Sequence, residues 1–423
     1  MSEQAGLNVK TVEARGFKHL LGVFPLLRKL RDSGCARDSA GNRELFFDQY
    51  VALVLIALFS PSIDSMRDIC RASELKKVQK KLGVKRVSLG SFSESSHVFD
   101  PELLKGVIAE LAGPLHPVGR DQRLGNLKPL LTIVDATLVK ALPKMAAARW
   151  VDNCDGSRRF AWKLHTQFVL DQHLPQRIDI TPPLNGGQAD EATVLRQNLQ
   201  KDRCYVLDRY FGQFALFNAI HAIGSSYVCR VRDSSTFELI EDRELSQAAL
   251  EAGVVRDAVV TLGVASKPDR RPDHPTRLIE IQCTPHSKRG GRKGKTAGPP
   301  AGETLLIATN LLDVPADILA LIYRHRWTIE IFFRFFKHLL GCRHLFSEHP
   351  NGVAIQVYCA IIACMLLNLW TNRKASKATL QMFGWYFSGW ADEQELEAFL
   401  TRPDNTGIKK RAKDELWKKL GVN

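Results

Sequence analysis

The residues best suited to chemistry lie in one segment of the chain, residues 322–340. It contains Tyr323, Arg326, Glu330 and Lys337, lacks proline and glycine, and shows helical apolar spacing, so it predicts one long helix. At about 100° per residue, the last three side chains fall about 60°, 20° and 40° from Tyr323, on one side of that helix. Much of the remaining surface is apolar, so we expect Glu330 to be buried and to need a partner, either a metal ion or Arg326.

Two further carboxylates each follow a short apolar run. Asp135 comes after residues 130–134, and Asp208 comes after residues 204–207. Each would therefore project from the C-terminal end of a buried strand, where ligand sites gather in an α/β sheet. Taken singly, each aspartate could instead cap a helix or stabilise a turn.

Three carboxylates that converge at such strand ends would favour Mg²⁺ or Mn²⁺, which prefer oxygen ligands. Two such ions about 3.5 to 4 Å apart can activate a water or a 3′-hydroxyl for attack on a phosphodiester, and they stabilise the leaving oxygen. The chemistry that these residues indicate is therefore that of a nuclease.

The elements that must position these residues change character at about residue 128. Residues 1–125 are predicted to be helical, whereas short runs of strand formers then alternate with helices, which indicates a mixed α/β domain. Short strands dominate residues 233–310, which we interpret as an all-β insertion. The strands predicted before it span 130–135, 160–170, 176–181, 204–208 and 226–231, and the helices span 189–200 and 214–222.

The composition limits the partners of the chain. It has 423 residues, of which 45% are hydrophobic, and a formal net charge of +14, which excludes a disordered protein and favours a polyanion, either nucleic acid or an anionic membrane surface. Basic residues are concentrated at 76–86, 287–296 and 408–419, which either contact phosphates or form solvated surfaces and linkers. In the glycine-rich stretch 287–296 we expect DNA contacts from Lys288, Arg289, Arg292 and Lys293.

Cysteine usage and the N-terminal residues predict a cytoplasmic protein. The nine cysteines include no Cys-x-x-Cys pair, which argues against a disulfide framework or a zinc ribbon. The first residues lack the basic head and apolar run of a signal peptide. Residues 353–370 approach the length of a membrane-spanning helix, but Gln356 and Asn368 favour a buried core helix, so we expect no membrane partner.

The pattern Tyr323-x2-Arg326-x3-Glu330-x6-Lys337 resembles the Y-(2)-R-(3)-E-(6)-K signature of the insertion-sequence-four family of DDE transposases. Asp135 and Asp208 stand where the other two acids of that family are expected. The resemblance covers roughly residues 60–375. One departure is that Arg209, Tyr210 and Phe211 come between the second acid and Gly212, whereas the family often has a glycine closer to that acid.

The resemblance implies a fold and a division of the chain. A ribonuclease-H-like catalytic domain would span 126–375, with the all-β insertion at 233–310 between the second aspartate and the glutamate. The residues themselves predict a helical domain at 1–125, which we expect to bind DNA, and a short helical tail at 376–423, which lies beyond the resemblance.

The resemblance also implies roles for single residues. Asp135, Asp208 and Glu330 would ligate Mg²⁺ or Mn²⁺. Phosphates near the scissile bond would be held by three side chains, Tyr323, Arg326 and Lys337. Trp327 is similar to an aromatic residue that stacks on a displaced base, although a tryptophan on such a helix could also belong to the core.

The activity implied is that of a bacterial, nucleoid-associated DNA transposase. Such an enzyme cuts the terminal inverted repeats of its own element and joins the 3′-hydroxyls to target DNA, as a homodimer on double-stranded DNA. Two alternatives keep DNA as the partner: a nuclease without strand transfer, and a domesticated DNA-binding protein without catalysis. The three acids and Lys337 argue against the domesticated protein.

Overall fold

The computed structural model describes residues 20, 22–38, 41–60, 62–115, 117–118, 121–140, 149–152, 158–182, 189–282, 304–340, 347 and 349–402. Two compact units make up the chain: residues 100–374, and a unit that joins residues 1–99 with 375–423. The domain limits 1–125, 126–375 and 376–423 remain predictions. The four basic residues Lys288, Arg289, Arg292 and Lys293, and the basic stretch 408–419, lie outside the described residues.

The N-terminal part of the first unit is helical in its described residues. The helices are α1 (Phe24–Arg28), α2 (Leu30–Gly34), α3 (Phe47–Phe59), α4 (Met66–Ser73), α5 (Lys76–Leu82) and α6 (Leu89–Val98). Almost all of α3 is buried, and aromatic rings stack against it, with Tyr50 and Phe92 at 4.4 Å and Phe47 and Phe99 at 4.7 Å between centroids. The basic helix α5 ends at Gly83, whose φ of 62° is a left-handed conformation that favours glycine.

The second unit is built on one large mixed sheet. Its first elements are α7 (Leu103–Ala112), β1 (Leu130–Lys140), β2 (Arg149–Asp152), β3 (Arg158–Val169), β4 (Leu174–Thr181), α8 (Glu191–Gln197), β5 (Arg203–Leu207), α9 (Phe214–Ala222) and β6 (Ser226–Arg230). The strands lie in the order β2-β3-β1-β5-β6, and β4 pairs with β3. The strands β1, β5 and β6 are parallel, whereas β3 is antiparallel to β1 and to its other two neighbours.

The sheet continues beyond β6 with four antiparallel strands. These are β7 (Phe237–Asp242), β8 (Val254–Leu262), β9 (Thr276–Gln282) and β10 (Thr304–Thr309), in the order β6-β10-β9-β8-β7. The segment predicted as all-β also contains a short helix, α10 (Gln247–Glu251), so that prediction was too simple. Ser246 caps this helix through its hydroxyl oxygen, which accepts from the Ala249 N–H.

A buried core packs on the middle of the sheet. Strand β5 is buried from Cys204 to Leu207, as a central parallel strand covered on both faces should be. Tyr227 of β6 stacks on Phe217 of α9 with 4.2 Å between ring centroids, and both side chains are fully buried. The middle of the sheet is therefore a rigid support for side chains at its strand ends.

The segment predicted as one long helix forms two. Helix α11 spans Ala316–His325 and helix α12 spans Thr328–Leu339. At the junction the Arg326 N–H donates to the carbonyl of Tyr323, three residues back, so the helix tightens locally into a turn of the 3₁₀ type. No proline or glycine marks this break, which is why the apolar spacing did not predict it.

Helix α13 (Pro350–Thr371) is the long uncharged segment. Its mean hydropathy of 2.0 would suit a membrane span, and among the described residues it alone passes that test. Its side chains are mostly buried within the second unit, where it packs on α7 and β4. Asn368 donates to the carbonyl of Gln172 at 3.3 Å, so the helix also makes polar contacts inside the protein.

Two further helices belong to the first unit. They are α14 (Lys377–Phe387) and α15 (Glu393–Thr401). Phe387 lies 5.8 Å from Phe59 of α3 between ring centroids, so α14 packs on the N-terminal helices of its own unit. Asp392 and Glu395 form a reciprocal capping box at the start of α15.

Candidate active site

Asp135 lies in the middle of β1, not at the end of a strand as the sequence predicted. The parallel pairing of β1 with β5 stops at Ile133 opposite Val206, two residues before Asp135. The strand continues to Lys140 because β3 still pairs with it there. The aspartate therefore stands just beyond the end of the parallel pairing, and its Oδ1 accepts from the N–H of the next residue at 2.8 Å.

Asp208 directly follows β5, as predicted, and it also serves the alternative role of a cap. Its Oδ1 accepts from the Tyr210 N–H at 2.8 Å and so begins the 3₁₀ turn Arg209–Phe211. Gly212 follows this turn, and a Cβ there would lie 3.3 Å from the Arg209 carbonyl and 3.4 Å from the Arg230 carbonyl. The three residues before the glycine thus form one turn that packs on the end of β6.

Arg326 brings two of the predicted acids together. Its Nη2 donates to Glu330 Oε1 at 2.9 Å, and its Nη1 lies 3.9 Å from Asp135 Oδ2. The three side chains are only 16%, 30% and 20% exposed, in the order arginine, glutamate, aspartate. Of the two partners expected for Glu330, the structure therefore shows the guanidinium.

The other predicted site residues of this segment lie at different distances from the bridge. Burial raises the pKa of Tyr323 well above its usual range, although the Arg326 guanidinium opposes the rise. Trp327 is 48% exposed with its ring centre 5.6 Å from the guanidinium carbon, so it is not a core residue. Lys337 is half-buried in the last turn of α12, about 10 Å along the axis from Glu330.

The charge at Asp135 is poorly stabilised. Its pKa is raised to about 7, mainly by burial and also by the nearby Asp208 and Glu191 carboxylates, while the Ala136 N–H and the Arg326 guanidinium lower it. A carboxylate with such a pKa carries its charge only in part at neutral pH. A cation placed beside it would relieve both the desolvation and the repulsion.

Glu191 is the acid that sequence reasoning missed. It is the first residue of α8, and its Oε1 lies 3.1 Å from Nζ of the buried Lys163 on β3. Burial raises the pKa of Glu191, Lys163 opposes this, and Asp208 adds to it. The only signal in the sequence was weak: Asp190 and Glu191 stand together at a predicted helix start. Acids at that place are typical of ordinary helix capping.

The start of α8 is tied to the turn after Asp208. Asp190 caps the helix, and its Oδ1 accepts from the Tyr210 hydroxyl at 2.6 Å. This hydrogen bond, together with burial and the nearby carboxylates, raises the pKa of Tyr210 to about 12. Tyr210 thus links the two segments, because its N–H donates to Asp208 and its hydroxyl donates to Asp190, the residue before Glu191.

The residues present fit a hard divalent cation in their chemistry, because the donors are carboxylates on buried strands and helices. The same carboxylates are not drawn together around one point: among the described residues, no group of three His, Cys, Asp or Glu could hold a metal ion. Arg326 supplies the positive charge between Asp135 and Glu330 instead.

Comparison with known proteins places this arrangement in a family. Residues 126–367 match the family model described as the transposase DDE domain. The chain is 25% identical over 244 residues to a protein of Sinorhizobium fredii named as transposase y4zB, covering 57% of this chain and 61% of that protein. It is 24% identical over 303 residues to a protein of Geobacillus stearothermophilus named as the transposase for insertion sequence element IS5377, covering 70% of this chain and 71% of that protein.

The chain thus spans about three-fifths of the length of the Sinorhizobium relative. Among solved structures, a piggyBac transposase synaptic complex with hairpin DNA aligns with 93% of this chain and 83% of that chain, at 10% identity and a TM-score of 0.44. The family match covers more than half of the chain and includes Asp135, Asp208 and Glu330. On the strength of that match, the chain belongs to the transposase DDE domain family.

Proposed function

We propose that this protein is a DNA transposase of the insertion-sequence-four kind that cuts the ends of its element and joins the 3′-hydroxyls to target DNA. The observation that carries the proposal is the bridge from Arg326 to Asp135 and Glu330, with Asp208 electrostatically coupled to Asp135. Acids from β1 and α12 thereby meet at one guanidinium, and Asp208, which follows β5, acts electrostatically on the first of them. Carboxylates are the ligands that two-metal phosphodiester chemistry uses.

The strand arrangement supports a ribonuclease-H-like core for this chemistry. The strands β1, β5 and β6 are parallel, β3 pairs antiparallel with β1, and β2 and β4 each pair antiparallel with β3. The antiparallel strands β7–β10 come between Asp208 and Glu330 in the chain. In this proposal β7–β10 are the insertion of the family, and they lengthen the same sheet.

Asp135, Asp208 and Glu330 would hold Mg²⁺ or Mn²⁺. When bound, the ions would activate the water or 3′-hydroxyl and stabilise the leaving oxygen. Arg326 is already placed to exchange its carboxylate partners for a phosphate, which its planar guanidinium can bind with two parallel hydrogen bonds. The carboxylates that it leaves are then available to the cation.

Tyr323 and Trp327 would contact the DNA in different ways. The phenol of Tyr323 keeps its proton at neutral pH, as an ordinary tyrosine does, and its raised pKa extends this to higher pH, so it can donate to a phosphate oxygen. The exposed ring of Trp327 can stack on an unpaired base, while Lys337 would contact a phosphate farther along α12. Lys288, Arg289, Arg292 and Lys293 are proposed as further phosphate contacts.

The partners follow from the reaction. The substrate would be double-stranded DNA, both the terminal inverted repeats and the target, and two copies of the chain would hold the two ends of the element together. The protein would act on chromosomal DNA in the bacterial cytoplasm. The surplus of positive charge, +14, suits a polyanionic partner.

The test uses DNA that carries the inverted repeats flanking the reading frame. We expect Mg²⁺-dependent cleavage at the repeat ends, and loss of cleavage in Asp135→Asn and Glu330→Gln with DNA binding retained. Glu238→Gln, at an exposed position on β7, is the matched control and should cleave like the wild type. Equal cleavage by Asp135→Asn and the wild type would overturn the proposal.

A joining assay separates transposition from simple nuclease activity. Pre-cut element ends with free 3′-hydroxyls are mixed with the protein, Mg²⁺ and a plasmid target. Joined products support the transposase, whereas cleavage without joining would support the nuclease.

A further inference from the structure

Arg230 is the last residue of β6, near the middle of the sheet. Strand β6 runs parallel to β5, with Cys229 opposite Leu207, so Arg230 stands beside Asp208, the residue that follows β5. The turn capped by Asp208 packs on this point, because a Cβ at Gly212 would lie 3.4 Å from the Arg230 carbonyl oxygen. Arg230 therefore lies at the edge of the sheet where one of the proposed catalytic acids stands.

The side chain of Arg230 points to the face of the sheet that also carries Asp135. Side chains alternate between the two faces along a strand. Cys229 belongs to the buried core that packs on α9, so Arg230, the next residue, points to the other face. Val134 belongs to the same core, so Asp135 also points away from it.

Helix α11 links Arg230 to the proposed site. The helix packs on β6, the strand that Arg230 ends. Burial raises the pKa of Tyr323 on α11, and the positive charges of Arg326 and Arg230 oppose this rise. Arg230 is thus close enough to the tyrosine of the signature for its charge to act there.

The guanidinium of Arg230 lacks the partners of a structural arginine. Its side chain is 19% exposed, and Nη2 lies 3.9 Å from a carboxylate oxygen of the exposed Asp233, which is too far for a hydrogen bond. Its Nε is buried and has no hydrogen-bond partner among the described residues. By contrast, Arg277 on β9 donates from Nε and Nη2 to both carboxylate oxygens of Asp257. An unpaired buried donor on a charged group destabilises the folded chain, so packing alone does not account for Arg230.

The missing partner should be an anion with two acceptor oxygens. The Nε–H and one Nη–H of an arginine point in the same direction and can bind two oxygens of one phosphate. The nearby carboxylates of Asp135 and Asp208 are the proposed cation ligands. A phosphate held by Arg230 would lie next to these ligands, where the phosphodiester must be placed.

We propose that Arg230 binds a phosphate of the DNA strand at the proposed active site, beside Asp208 and Tyr323. The inference rests on the proposed function, because the phosphate is that of the element-end DNA. Arg326 must release two carboxylates before it can bind a phosphate, whereas Arg230 has only the distant Asp233 to release. Arg230 lies outside the four-residue signature, so it adds a phosphate contact to those that the signature implies.

The first experiment measures the affinity of the full chain for a duplex that carries one inverted repeat, by fluorescence anisotropy in the presence of a chelator. We expect Arg230→Gln to weaken binding about tenfold or more and to lower the slope of log affinity against log salt by about one. Arg230→Lys keeps the charge but loses the paired donors, so it should keep the slope and lose less affinity. Wild-type affinity and slope in Arg230→Gln would overturn the inference.

Arg256→Gln is the matched control. It makes the same change of charge in the same sheet, but the Arg256 guanidinium already has two carboxylate neighbours, Asp242 at 3.4 Å and Glu280 at 3.7 Å. We expect this variant to bind the duplex like the wild type.

Duplexes with a single methylphosphonate, a linkage without charge, locate the contact. The phosphates around the cleavage position are replaced one at a time. At the position that Arg230 binds, the replacement should weaken the wild type but leave Arg230→Gln no weaker than it already is. If the replacements affect the two proteins equally at every position, Arg230 binds no phosphate there and the inference fails.

Unfolding without DNA separates this contact from a structural role. Arg230→Met removes a buried charge that has no hydrogen-bonded counter-ion, so the free energy of unfolding should stay unchanged or rise. Arg277→Met removes the partner of Asp257, so its free energy of unfolding should fall. An equal fall in Arg230→Met would assign Arg230 a structural role and overturn the inference.

The wild type distinguishes this inference from the proposed function. If the wild type binds and cleaves the element end and Arg230→Gln binds it equally well, the inference fails and the proposed function stands. If the wild type neither prefers nor cleaves the element-end DNA, the proposed function fails and the inference fails with it. Circular dichroism of each variant confirms that folded chains are being compared.

Discussion

Two carboxylates of the same sheet, Asp135 and Asp257, differ in how their charge is met. On β8, Asp257 is 5% exposed and receives two hydrogen bonds from the Arg277 guanidinium, at 2.7 and 2.6 Å. On β1, Asp135 is 20% exposed, its nearest cation is Arg326 at 3.9 Å, and its pKa is raised to about 7. The charge of Asp257 is therefore fully paired, whereas the charge of Asp135 is only partly compensated.

The two acids therefore differ in how completely the chain itself compensates their charge. Arg277 also donates to the carbonyl of Leu312 at 3.0 Å, so it ties β9 to the segment after β10. Its contacts are all satisfied inside the protein. Around Asp135 the contacts are longer and the pKa is raised, which is the pattern that the proposed function expects of a perturbed group at its site.

The largest effect should come from the structural pair. Asp257→Asn leaves the buried Arg277 guanidinium without its counter-charge, so we expect the free energy of unfolding to fall by about 3 to 5 kcal/mol. Asp135→Asn removes a charge that is already repelled and desolvated, so it should leave stability unchanged or raise it. Urea unfolding of the two variants at pH 7 in the presence of a chelator measures both. A larger loss in Asp135→Asn would reverse the comparison.

The pH dependence of stability should show the same contrast. Burial raises the pKa of Asp135 in the folded chain from an ordinary value near 4 to about 7, so between these values the folded state binds more protons than the unfolded state. Stability contributed by this group is therefore lost as pH rises from about 4 to 7, by up to about 4 kcal/mol.

The measurement is a comparison of wild type and Asp135→Asn by chemical unfolding across this pH range, again with a chelator. The wild type should lose stability relative to the variant as pH rises. Parallel curves for the two proteins would contradict the raised pKa.

How far the sequence predicts this site depends on the distance of each contact along the chain. Arg326 and Glu330 are four residues apart in a segment predicted as one helix, so their spacing made Arg326 one of the two expected partners of Glu330, beside a metal ion. Asp208 directly follows a short buried strand, and its position after β5 could likewise be predicted. Lys163 and Glu191 lie on different elements, so no local pattern reports that they form a pair.

The errors have the same physical origin. The sequence indicates where the apolar run before Asp135 ends, but not that β3 pairs with β1 as far as Lys140. Strand pairing is a long-range contact that one strand does not specify. The break between α11 and α12 was equally hidden, because it arises from a local hydrogen bond between Arg326 and Tyr323 and not from a helix-breaking residue.

Arg326 differs from Arg277 because its positive charge is shared between two carboxylates, Asp135 and Glu330. Arg326→Ala should reduce DNA cleavage at least about a hundredfold, because a charged contact to the scissile phosphate is lost. Mn²⁺ binding without DNA should be unchanged or tighter, because the variant lacks the positively charged guanidinium that lies between Asp135 and Glu330. Arg324→Ala, at an exposed position on α11, is the control. Parallel loss of Mn²⁺ binding and cleavage would show that Arg326 only supports the acids.

The smallest effect should come from the exposed aromatic ring beside the bridge. Trp327→Ala removes a stacking surface without exposing a core, so we expect binding to DNA with unpaired bases at the element end to weaken by about 1 to 3 kcal/mol, with fully paired DNA affected less. Trp385→Ala, a tryptophan of similar exposure on α14, is the matched control. Fluorescence anisotropy with the two DNA forms measures the difference. If both variants weaken DNA binding equally, or if Trp327→Ala weakens binding of both DNA forms equally, Trp327 does not bind a displaced base. The contrast between Asp135 and Asp257 would then depend on the acids and Arg326 alone.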